Sequence, residues 1–416
     1  MKKINIKSLV KSQPKELEVN PAIPVNEYYI DLANKFKTAK YAVLIFLVVF
    51  VLCMITVFRT DITLENCKYL VRFFSSGASV YQNSYDPIYY DTAGVIDIKL
   101  FNSNLVTIKN DGVDFYDMKG NNTESYNINY VDPTVVTRGK HMLVYDLGGN
   151  SFELFNNFSR LAGETYSYPI SCAAVSNDGM FAVVTKSLDY QSVVHLYDHN
   201  YNLITEISKN KYITDIKINA KGDKLLLTCA YAKDGRYISE VVSYVPYTEK
   251  ESGSCVLENS FVILCGFHDN GSYSVLSDNA LMFFNSKDKK IAEYPLGNIV
   301  PNDCLILGDK VVLSYNKNIV GSQSEIMIFS TKGEQLYTIP VEDKIFDSVC
   351  FGEDLYLLLD NKIAYINLDN GKTKTCEIES GANGLYICDK TELVIGYSNM
   401  ARAYLIEDLF SKVKED

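Results

Sequence analysis

An internal repeat constrains the fold of this chain more than any other feature. Two sequence anchors recur eight times in the same order, at intervals of roughly 37 to 48 residues. The first anchor is a short turn between two apolar runs, at residues 102–104, 138–140, 177–179, 221–223, 269–271, 307–309, 352–354 and 388–390. The second is a five-residue run rich in β-formers, at residues 113–117, 152–156, 194–198, 242–246, 281–285, 326–330, 363–367 and 403–407. Aromatic and β-branched runs between turn residues predict strands in every repeat.

The repeat has the length of a four-stranded propeller blade. We therefore predict an all-β fold, an eight-bladed β-propeller over residues 86–407, with seven blades as the alternative if the weak first or last repeat is partial. A two-sheet sandwich is disfavoured because it predicts no period near about 40 residues. No further strand follows residues 403–407. The run DPIYYD at residues 86–91 is a spare strand that can complete the eighth blade and close the ring.

Residues 41–58 are apolar and carry no charge. As a helix they would span about 27 Å, which is close to the thickness of the hydrocarbon core of a membrane. Three lysines at positions 35–40 precede the segment, whereas Arg59 and Asp61 follow it and roughly cancel. The positive-inside rule then predicts an uncleaved signal anchor in the cell membrane, with the N-terminus in the cytoplasm and the C-terminal domain outside the cell.

These features together predict the division of the chain. Prolines in residues 11–26 oppose helix formation, whereas residues 27–40 are compatible with a helix that runs into the membrane. The predicted segments are a partly disordered cytoplasmic tail (1–40), a transmembrane helix (41–58), a stalk (59–85), the β-propeller (86–407) and a charged C-terminal tail (408–416).

Charge and cysteine usage exclude several functional classes. The net charge is −11, so the basic surface that nucleic acid requires is not expected. Of the ten cysteines, Cys53 lies in the apolar segment, and the other nine include no Cys-x-x-Cys pair and no spacing typical of a zinc site. Several of them end an apolar run before a turn, which favours small buried strand residues. Disulfides among the nine are left open by the pattern.

No catalytic, cofactor-binding or metal-binding set can be assigned from the sequence. Structural roles are favoured for the histidines, because they show no common spacing. They are His141, His195, His199 and His268. The Asp-Gly pairs lack the closing glutamate of a calcium loop and are typical of hairpin turns. They lie at residues 111–112, 178–179 and 234–235. The chain has no Trp and lacks the phosphate-binding, nucleophile-elbow and haem-attachment motifs.

Tyrosine is abundant, with 31 residues. Most of these are predicted to pack between blades, but tyrosines on loops offer contact area and a hydroxyl to a partner or a sugar. A tyrosine-rich rim is therefore a hypothesis, formed by Tyr166, Tyr168, Tyr231, Tyr237 and Tyr247. The tip at residues 232–236 belongs to a repeat of more than average length and is predicted to be an extended loop, where functional contacts concentrate.

Three stretches, at residues 145–156, 173–198 and 213–245, resemble an uncharacterised family of bacterial, mostly Gram-positive, single-pass membrane proteins. The members have an extracytoplasmic domain of unknown function. The resemblance extends over essentially the whole chain from the membrane segment onward. It implies a β-propeller of the quinoprotein-like or Trp-Asp-repeat-like superfamily, and it implies no activity, cofactor or active-site residue.

Three functions are compatible with these features. In the first, the propeller is anchored through residues 41–58 and serves as a scaffold or interaction module for an envelope protein or a cell-wall polymer. In the second, it is an envelope hydrolase, a lyase or a sugar-binding enzyme, which would need convergent carboxylates or histidines in the central channel. In the third, it is a transmembrane sensor. The lack of catalytic motifs favours the first function over an enzyme.

Overall fold

The computed structural model describes residues 27–57, 86–156, 159–248, 250–318 and 323–411. The chain divides into two compact units, Met1–Ser75 and Ser76–Asp416. A long helix forms the described part of the first unit, and the second unit contains every strand. The expected stalk at residues 59–85, which includes Cys67, lies outside the described residues.

Helix α1 (Glu27–Val57) forms the described part of the N-terminal unit. Its 31 residues correspond to a length of about 46 Å. The apolar portion Leu32–Met54 has a mean hydropathy of 2.1 and none of it is buried. Within the described residues this is the one helix long and apolar enough to cross a membrane, and it fits a single-pass anchor. The helix also includes the polar turns before residue 41, as residues 27–40 suggested.

The second unit is an eight-bladed β-propeller in which each blade is an antiparallel sheet of four strands. Blades 1 to 4 contain β2 (Val95–Phe101), β3 (Asn104–Lys109), β4 (Gly112–Tyr116), β5 (Asn122–Asn127); β6 (Pro133–Arg138), β7 (His141–Asp146), β8 (Ser151–Asn156), β9 (Ser159–Thr165); β10 (Ile170–Val175), β11 (Phe181–Thr185), β12 (Ser192–Tyr197), β13 (Leu203–Lys209); and β14 (Tyr212–Ile218), β15 (Leu225–Lys233), β16 (Arg236–Val245), β17 (Lys250–Glu258).

Blades 5 to 8 continue the same order, and the last blade takes its fourth strand from the start of the domain. They contain β18 (Val262–Phe267), β19 (Tyr273–Ser277), β20 (Ala280–Phe284), β21 (Lys290–Pro295); β22 (Pro301–Ile306), β23 (Lys310–Asn316), β24 (Ser324–Ser330), β25 (Gln335–Val341); β26 (Asp347–Phe351), β27 (Asp354–Leu359), β28 (Lys362–Asn367), β29 (Thr373–Glu377); and β30 (Ala382–Ile387), β31 (Glu392–Tyr397), β32 (Met400–Leu405), β1 (Ile88–Tyr89).

Strand β1 closes the ring, which confirms eight blades rather than seven. Ile88 pairs with Ala401, and the Ile88 side chain is 1% exposed. The Tyr90 hydroxyl donates a hydrogen bond to the Tyr397 carbonyl at 2.5 Å. The spare strand expected at residues 86–91 thus completes the eighth blade, so that blade 8 is held by both ends of the domain.

Both sequence anchors have the expected place in every blade. The first is the turn between the first and second strands, and the second overlaps the third strand, although in blade 8 its last two residues begin the C-terminal helix. The polar residue that ends the third strand caps the following turn in several blades. The side chains of Asp117, Asp198 and Asn285 each accept hydrogen bonds from the backbone N–H groups two and four residues ahead. This capping explains why Asp and Asn recur there.

The hydrophobic core lies between adjacent blades. One cluster joins Ala182 and Leu196 of blade 3 to Ile216 and Leu225 of blade 4. Because a blade is covered on both faces, its second strand is apolar at consecutive positions rather than at alternate ones. The cysteines follow the same rule. Nine described cysteines carry free thiols, and those buried in strands are Cys172, Cys229, Cys265, Cys304 and Cys376.

The described chain ends in a short helix, α2 (Ile406–Phe410), which begins directly after β32. The ring of Phe410 lies against blade 7, with centroids 6.4 Å from that of Tyr356 and 5.9 Å from that of Tyr365. Sequence analysis did not identify this helix, because its five residues are too few to show a helical period.

Candidate functional site

The propeller has two faces with different chemistry. The top face carries the loops between the second and third strands and the connections between blades, and the bottom face carries the remaining turns. Exposed large apolar residues concentrate on the top face and on the outer, fourth strands. Those on the top face are Ile96, Val131, Leu147, Leu188, Tyr190, Tyr212, Tyr237, Phe261, Ile263, Val300 and Phe346. The corresponding residues on the bottom face are Val245 and Tyr247.

The first strands of neighbouring blades contact one another and form the inner wall of the ring. Four of them carry an aspartate at the same register position, and the carboxylate accepts the backbone N–H of the next residue. These residues are Asp97, Asp215, Asp303 and Asp347. In three of the four strands a β-bulge immediately precedes the aspartate. Bulges turn side chains out of the regular alternation, which places these carboxylates on the inner wall.

Two of the inner carboxylates link blades 6, 7 and 8. Asp347 Oδ2 accepts a hydrogen bond from the Leu385 N–H of blade 8 at 2.8 Å. Ser348 Oγ of blade 7 donates one to Asp303 Oδ2 of blade 6 at 2.5 Å. Burial raises the pKa of Asp347 above its ordinary value, and the charge of Asp303 adds to this increase. The geometry assigns these carboxylates to bonds between blades.

Basic side chains lie further along the same wall. Lys217 pairs with Asp215 at 3.0 Å, and Arg138 donates a hydrogen bond to Asn177 Oδ1 at 3.2 Å. They line a cavity of about 170 Å³ together with apolar residues such as Leu264. Within the described ranges, no group of three or more His, Cys, Asp and Glu side chains is placed to hold a metal ion.

The four histidines occupy separate places. His195 of β12 lies between Glu206 Oε1 at 2.9 Å and Thr185 Oγ1 at 3.0 Å, and its ring stacks on Tyr166 at 4.6 Å. This carboxylate–imidazole–hydroxyl order resembles that of a hydrolase triad. The Thr185 residue is only 3% exposed, however, so the hydroxyl is closed to a substrate and the group supports the packing of blade 3.

The remaining histidines are also apart from the inner wall carboxylates. His141 begins β7 and is buried beneath Gly179, and burial lowers its pKa to about 4. His268 is buried in a bottom-face turn, where its Nδ1 lies 2.6 Å from the Leu307 carbonyl and its Nε2 lies 2.8 Å from Ser274 Oγ. His199 is exposed on another turn. The structure brings no two histidines into one site.

The Asp-Gly pairs form tight turns between paired strands, as expected. The pair at residues 234–235 is a two-residue turn in which both residues are left-handed, with φ of 50° and 73°. Lys233 pairs with Arg236 across it, so strands β15 and β16 extend to the tip. The interpretation of residues 232–236 as an extended loop is therefore wrong. The β-branched and aromatic residues next to the turn sustain the pairing to its end.

The tyrosine-rich rim is only partly assembled. Tyr231 and Tyr237 belong to the long hairpin of blade 4 at the top face, but their side chains point to opposite sides of the sheet. The loop with Tyr168 lies on the same face of the propeller. Tyr166 is half-buried, and its hydroxyl lies 2.8 Å from that of Tyr197. Tyr247 lies in a short helix, Pro246–Thr248, on the bottom face. The rim predicted from sequence therefore mixes two faces.

Apolar residues that the sequence interpretation missed extend the top-face part of this rim. The Phe261 ring stacks on Tyr237 with centroids 5.9 Å apart, although Phe261 stays 49% exposed. Lys211 lies over the Tyr231 ring at 4.5 Å. We define the apolar rim as the exposed apolar residues of blades 3 to 5 on this face: Leu188, Tyr190, Tyr212, Tyr237, Phe261 and Ile263. The rim could have been predicted from the sequence by the large apolar residues in the loops next to strands.

The chain matches the family of unknown function DUF5711 over residues 81–402. It belongs to this family. The match spans the propeller almost completely, and it agrees with the resemblance to an uncharacterised family. No curated protein matches this DUF5711 protein at a significant level.

Solved structures similar to this DUF5711 protein are propellers of remote sequence. The C-terminal WD40 domain of Sif2 has a TM-score of 0.53 at 13% identity, covering 78% of this chain and 98% of its own. BamB from Moraxella catarrhalis has a TM-score of 0.52 at 12% identity, covering 77% and 98%. A eukaryotic initiation factor has a TM-score of 0.55 at 11% identity, covering 77% and 87%. At these identities the similarity shows the fold alone.

Proposed function

We propose that this DUF5711 protein is a membrane-anchored, extracytoplasmic interaction module that binds a protein partner on its top face. The observation that carries the proposal is the apolar rim. Large apolar patches on soluble domains usually mark interaction sites, because exposure to water disfavours them. Tyr and Phe are enriched at the centres of protein interfaces, since they offer contact area with few rotatable bonds.

The fold of blade 4 supports this proposal. Strands β15 and β16 have nine and ten residues, so their hairpin projects beyond the neighbouring blades on the top face. An ion pair between Arg236 and Glu258 at 2.8 Å links the tip of the hairpin to the outer strand. Aromatic residues on a hairpin that is paired up to its tip lose little conformational entropy on binding, which favours affinity.

The path of the chain also supports a top face that is available to a partner. Strand β1 is antiparallel to β32, so the polypeptide enters the propeller at the bottom face and runs toward the top. The N-terminal end of β1 and the apolar rim therefore lie on opposite faces of the propeller. Three lysines at positions 35–40 support an orientation with the N-terminus in the cytoplasm and the propeller outside the cell.

The test is crosslinking in intact cells, followed by purification of tagged full-length protein and mass spectrometry of the attached material. Phe261→Glu places a charge in the apolar rim and is expected to abolish recovery of the partner. Tyr247→Glu is the matched control, because Tyr247 is 64% exposed on the opposite face. Recovery of the partner should survive this control. Equal recovery with both variants would contradict the proposal, as would attached material that is polysaccharide rather than protein.

A further inference from the structure

A polar cleft of about 490 Å³ opens on the bottom face between blades 4 and 5. Its walls are three turns, namely those that join β14 to β15, β18 to β19 and β20 to β21. The volume falls within the range of about 300 to 1,000 Å³ that holds small-molecule ligands. The cleft lies on the face opposite the apolar rim, so its role is independent of the proposed docking of a protein.

A buried ion pair lies in the wall of the cleft. Lys224 Nζ lies 2.6 Å from Asp288 Oδ1, and the two side chains are 12% and 5% exposed. Lys224 also donates a hydrogen bond to the Ser286 carbonyl at 3.0 Å, and Ser252 Oγ donates one to Asp288 Oδ2 at 2.9 Å. A buried ion pair loses hydration and contributes little net stability, so stability alone does not explain its presence.

Several features fix the position of Asp288. Its φ of +64° lies in the left-handed region of backbone conformation, which residues other than glycine rarely adopt. A Cβ atom at Gly253 would lie 2.3 Å from the Cβ of Asp288, so only glycine at position 253 permits this approach. The left-handed conformation recurs at Gly120, Tyr201 and Gly333 in the equivalent turns, so it belongs to the repeat, whereas the close approach to Gly253 is particular to Asp288.

Exposed charges of both signs line the cleft without partners. Lys221, Lys287 and Asp269 come from the three different turns. Within the part of the chain that the structure describes, their side chains make no hydrogen bond and no ion pair. The lining also includes the exposed Asp223, whose carboxylate accepts a hydrogen bond from the Asn219 amide at 2.5 Å. A ligand in the cleft therefore meets the ammonium groups of Lys221 and Lys287 and the carboxylates of Asp223 and Asp269.

We infer that the cleft binds a small zwitterion with a free amine and a free carboxylate, of the class of amino acids and short peptides. The ligand carboxylate pairs with both Lys221 and Lys287, and the ligand amine pairs with the carboxylates of Asp223 and Asp269, through charge-assisted hydrogen bonds. A purely anionic ligand would be repelled by Asp269, and a purely cationic ligand by the two lysines. A neutral sugar is disfavoured, because the one aromatic ring in the lining, that of His268, is only 3% exposed and offers no face for stacking.

The inference is tested by calorimetric titration of the full-length protein in detergent micelles with three peptides. Alanyl-alanine has both charged termini, N-acetyl-alanyl-alanine lacks the amine, and alanyl-alanine amide lacks the carboxylate. Alanyl-alanine is expected to bind, and each blocked peptide is expected to bind at least about tenfold more weakly, since it loses one charge-assisted hydrogen bond. Equal binding of the three peptides, or no binding of alanyl-alanine, would overturn the inference.

A pair of variants locates the binding site. Lys287→Ala is expected to weaken alanyl-alanine binding by about tenfold, because it removes one pairing group. Lys332→Ala is the matched control: Lys332 follows the capping residue of its turn by two positions, as Lys287 does, but it lies in blade 6 outside the cleft. An equal effect of the two substitutions would refute the assignment to this cleft. Both are on exposed turns, so the thermal unfolding of each variant should match that of the wild type.

Discussion

At the scale of single residues, buried polar side chains in this propeller serve mainly to hold neighbouring strands and blades in place. Asp347 bonds to the backbone of blade 8, and His268 bonds to the turn of blade 6. His141 differs from both, because its Nδ1 has no hydrogen-bond partner among the described residues. Gly179 lies so close that a Cβ there would be 2.7 Å from the imidazole. The imidazole of His141 is thus buried away from water in its neutral form.

The burial of the His141 imidazole predicts a loss of stability in acid. Burial lowers the pKa of His141 to about 4, below the value of about 6.5 for the unfolded chain. Its contribution to folding is therefore fully present above pH 6.5 and disappears as the pH falls through 4, a loss of about 3 kcal/mol. Urea unfolding of the wild type and His141→Gln at pH 7 and pH 4 should show a smaller acid loss for the variant.

The exposed His199 provides the control for this experiment. His199→Gln should lose stability in acid as the wild type does, because the His199 side chain is exposed and its replacement leaves the burial of His141 unchanged. The same acid loss for His141→Gln and for the wild type would show that His141 is solvated in the folded protein.

At the scale of elements, a two-residue strand completes the ring. Strand β1 adds few hydrogen bonds, but its Ile88 side chain belongs to the apolar cluster between blades 8 and 1, which includes Leu105 and Val394. The blade would otherwise expose the edge of β32 and part of this apolar cluster. The closing strand therefore links the N-terminal and C-terminal ends of the domain through packing more than through its backbone pairs.

The two residues of β1 provide a matched pair of substitutions. Ile88→Ala leaves a cavity in the core and is expected to lower the free energy of unfolding by about 2–5 kcal/mol. Tyr89→Ala changes the neighbouring side chain, which is 63% exposed. This substitution should change the free energy of unfolding by less than about 0.5 kcal/mol. Chemical denaturation of both variants measures the difference. Similar small effects would mean that β1 does not close the ring in solution.

At the scale of the whole molecule, the two candidate binding surfaces lie on opposite faces of the propeller. The bottom face carries charged turns and the polar cleft, and the top face carries the apolar rim. Blade 4 contributes to both features through its long hairpin and its turn at residues 219–224. One ring could thus present two independent binding surfaces, because each blade exposes separate loops on each face.

The orientation of the chain in the membrane is open to a labelling experiment. Lys332→Cys places a thiol on an exposed turn of the propeller, and Ser8→Cys places one in the N-terminal tail. In intact cells a membrane-impermeant maleimide is expected to label the first variant above the background of the wild type, and the second only after lysis, in accord with the positive-inside rule. The reverse pattern would place the propeller in the cytoplasm.

Local sequence determined the repeated elements, because each turn and strand depends on residues close to it in the chain. Asp117, Asp198 and Asn285 cap turns within four residues, so their recurrence is visible without a structure. The spare strand at residues 86–91 was identifiable for a related reason. The last repeat lacks a fourth strand, and the ring can close only if another segment supplies it. The apolar segment within α1 was equally evident from composition.

Only the tertiary structure decided which distant residues meet. The pairing of Lys224 with Asp288 spans two blades, and the stacking of Tyr237 on Phe261 depends on the angle between successive sheets. Tyr247 belongs to the opposite face because a chain reverses direction at every turn, so residues a few positions apart can point to opposite ends of a blade. The period of the repeat specifies the blades, but the surfaces arise where separate blades come together, and no local pattern encodes that juxtaposition.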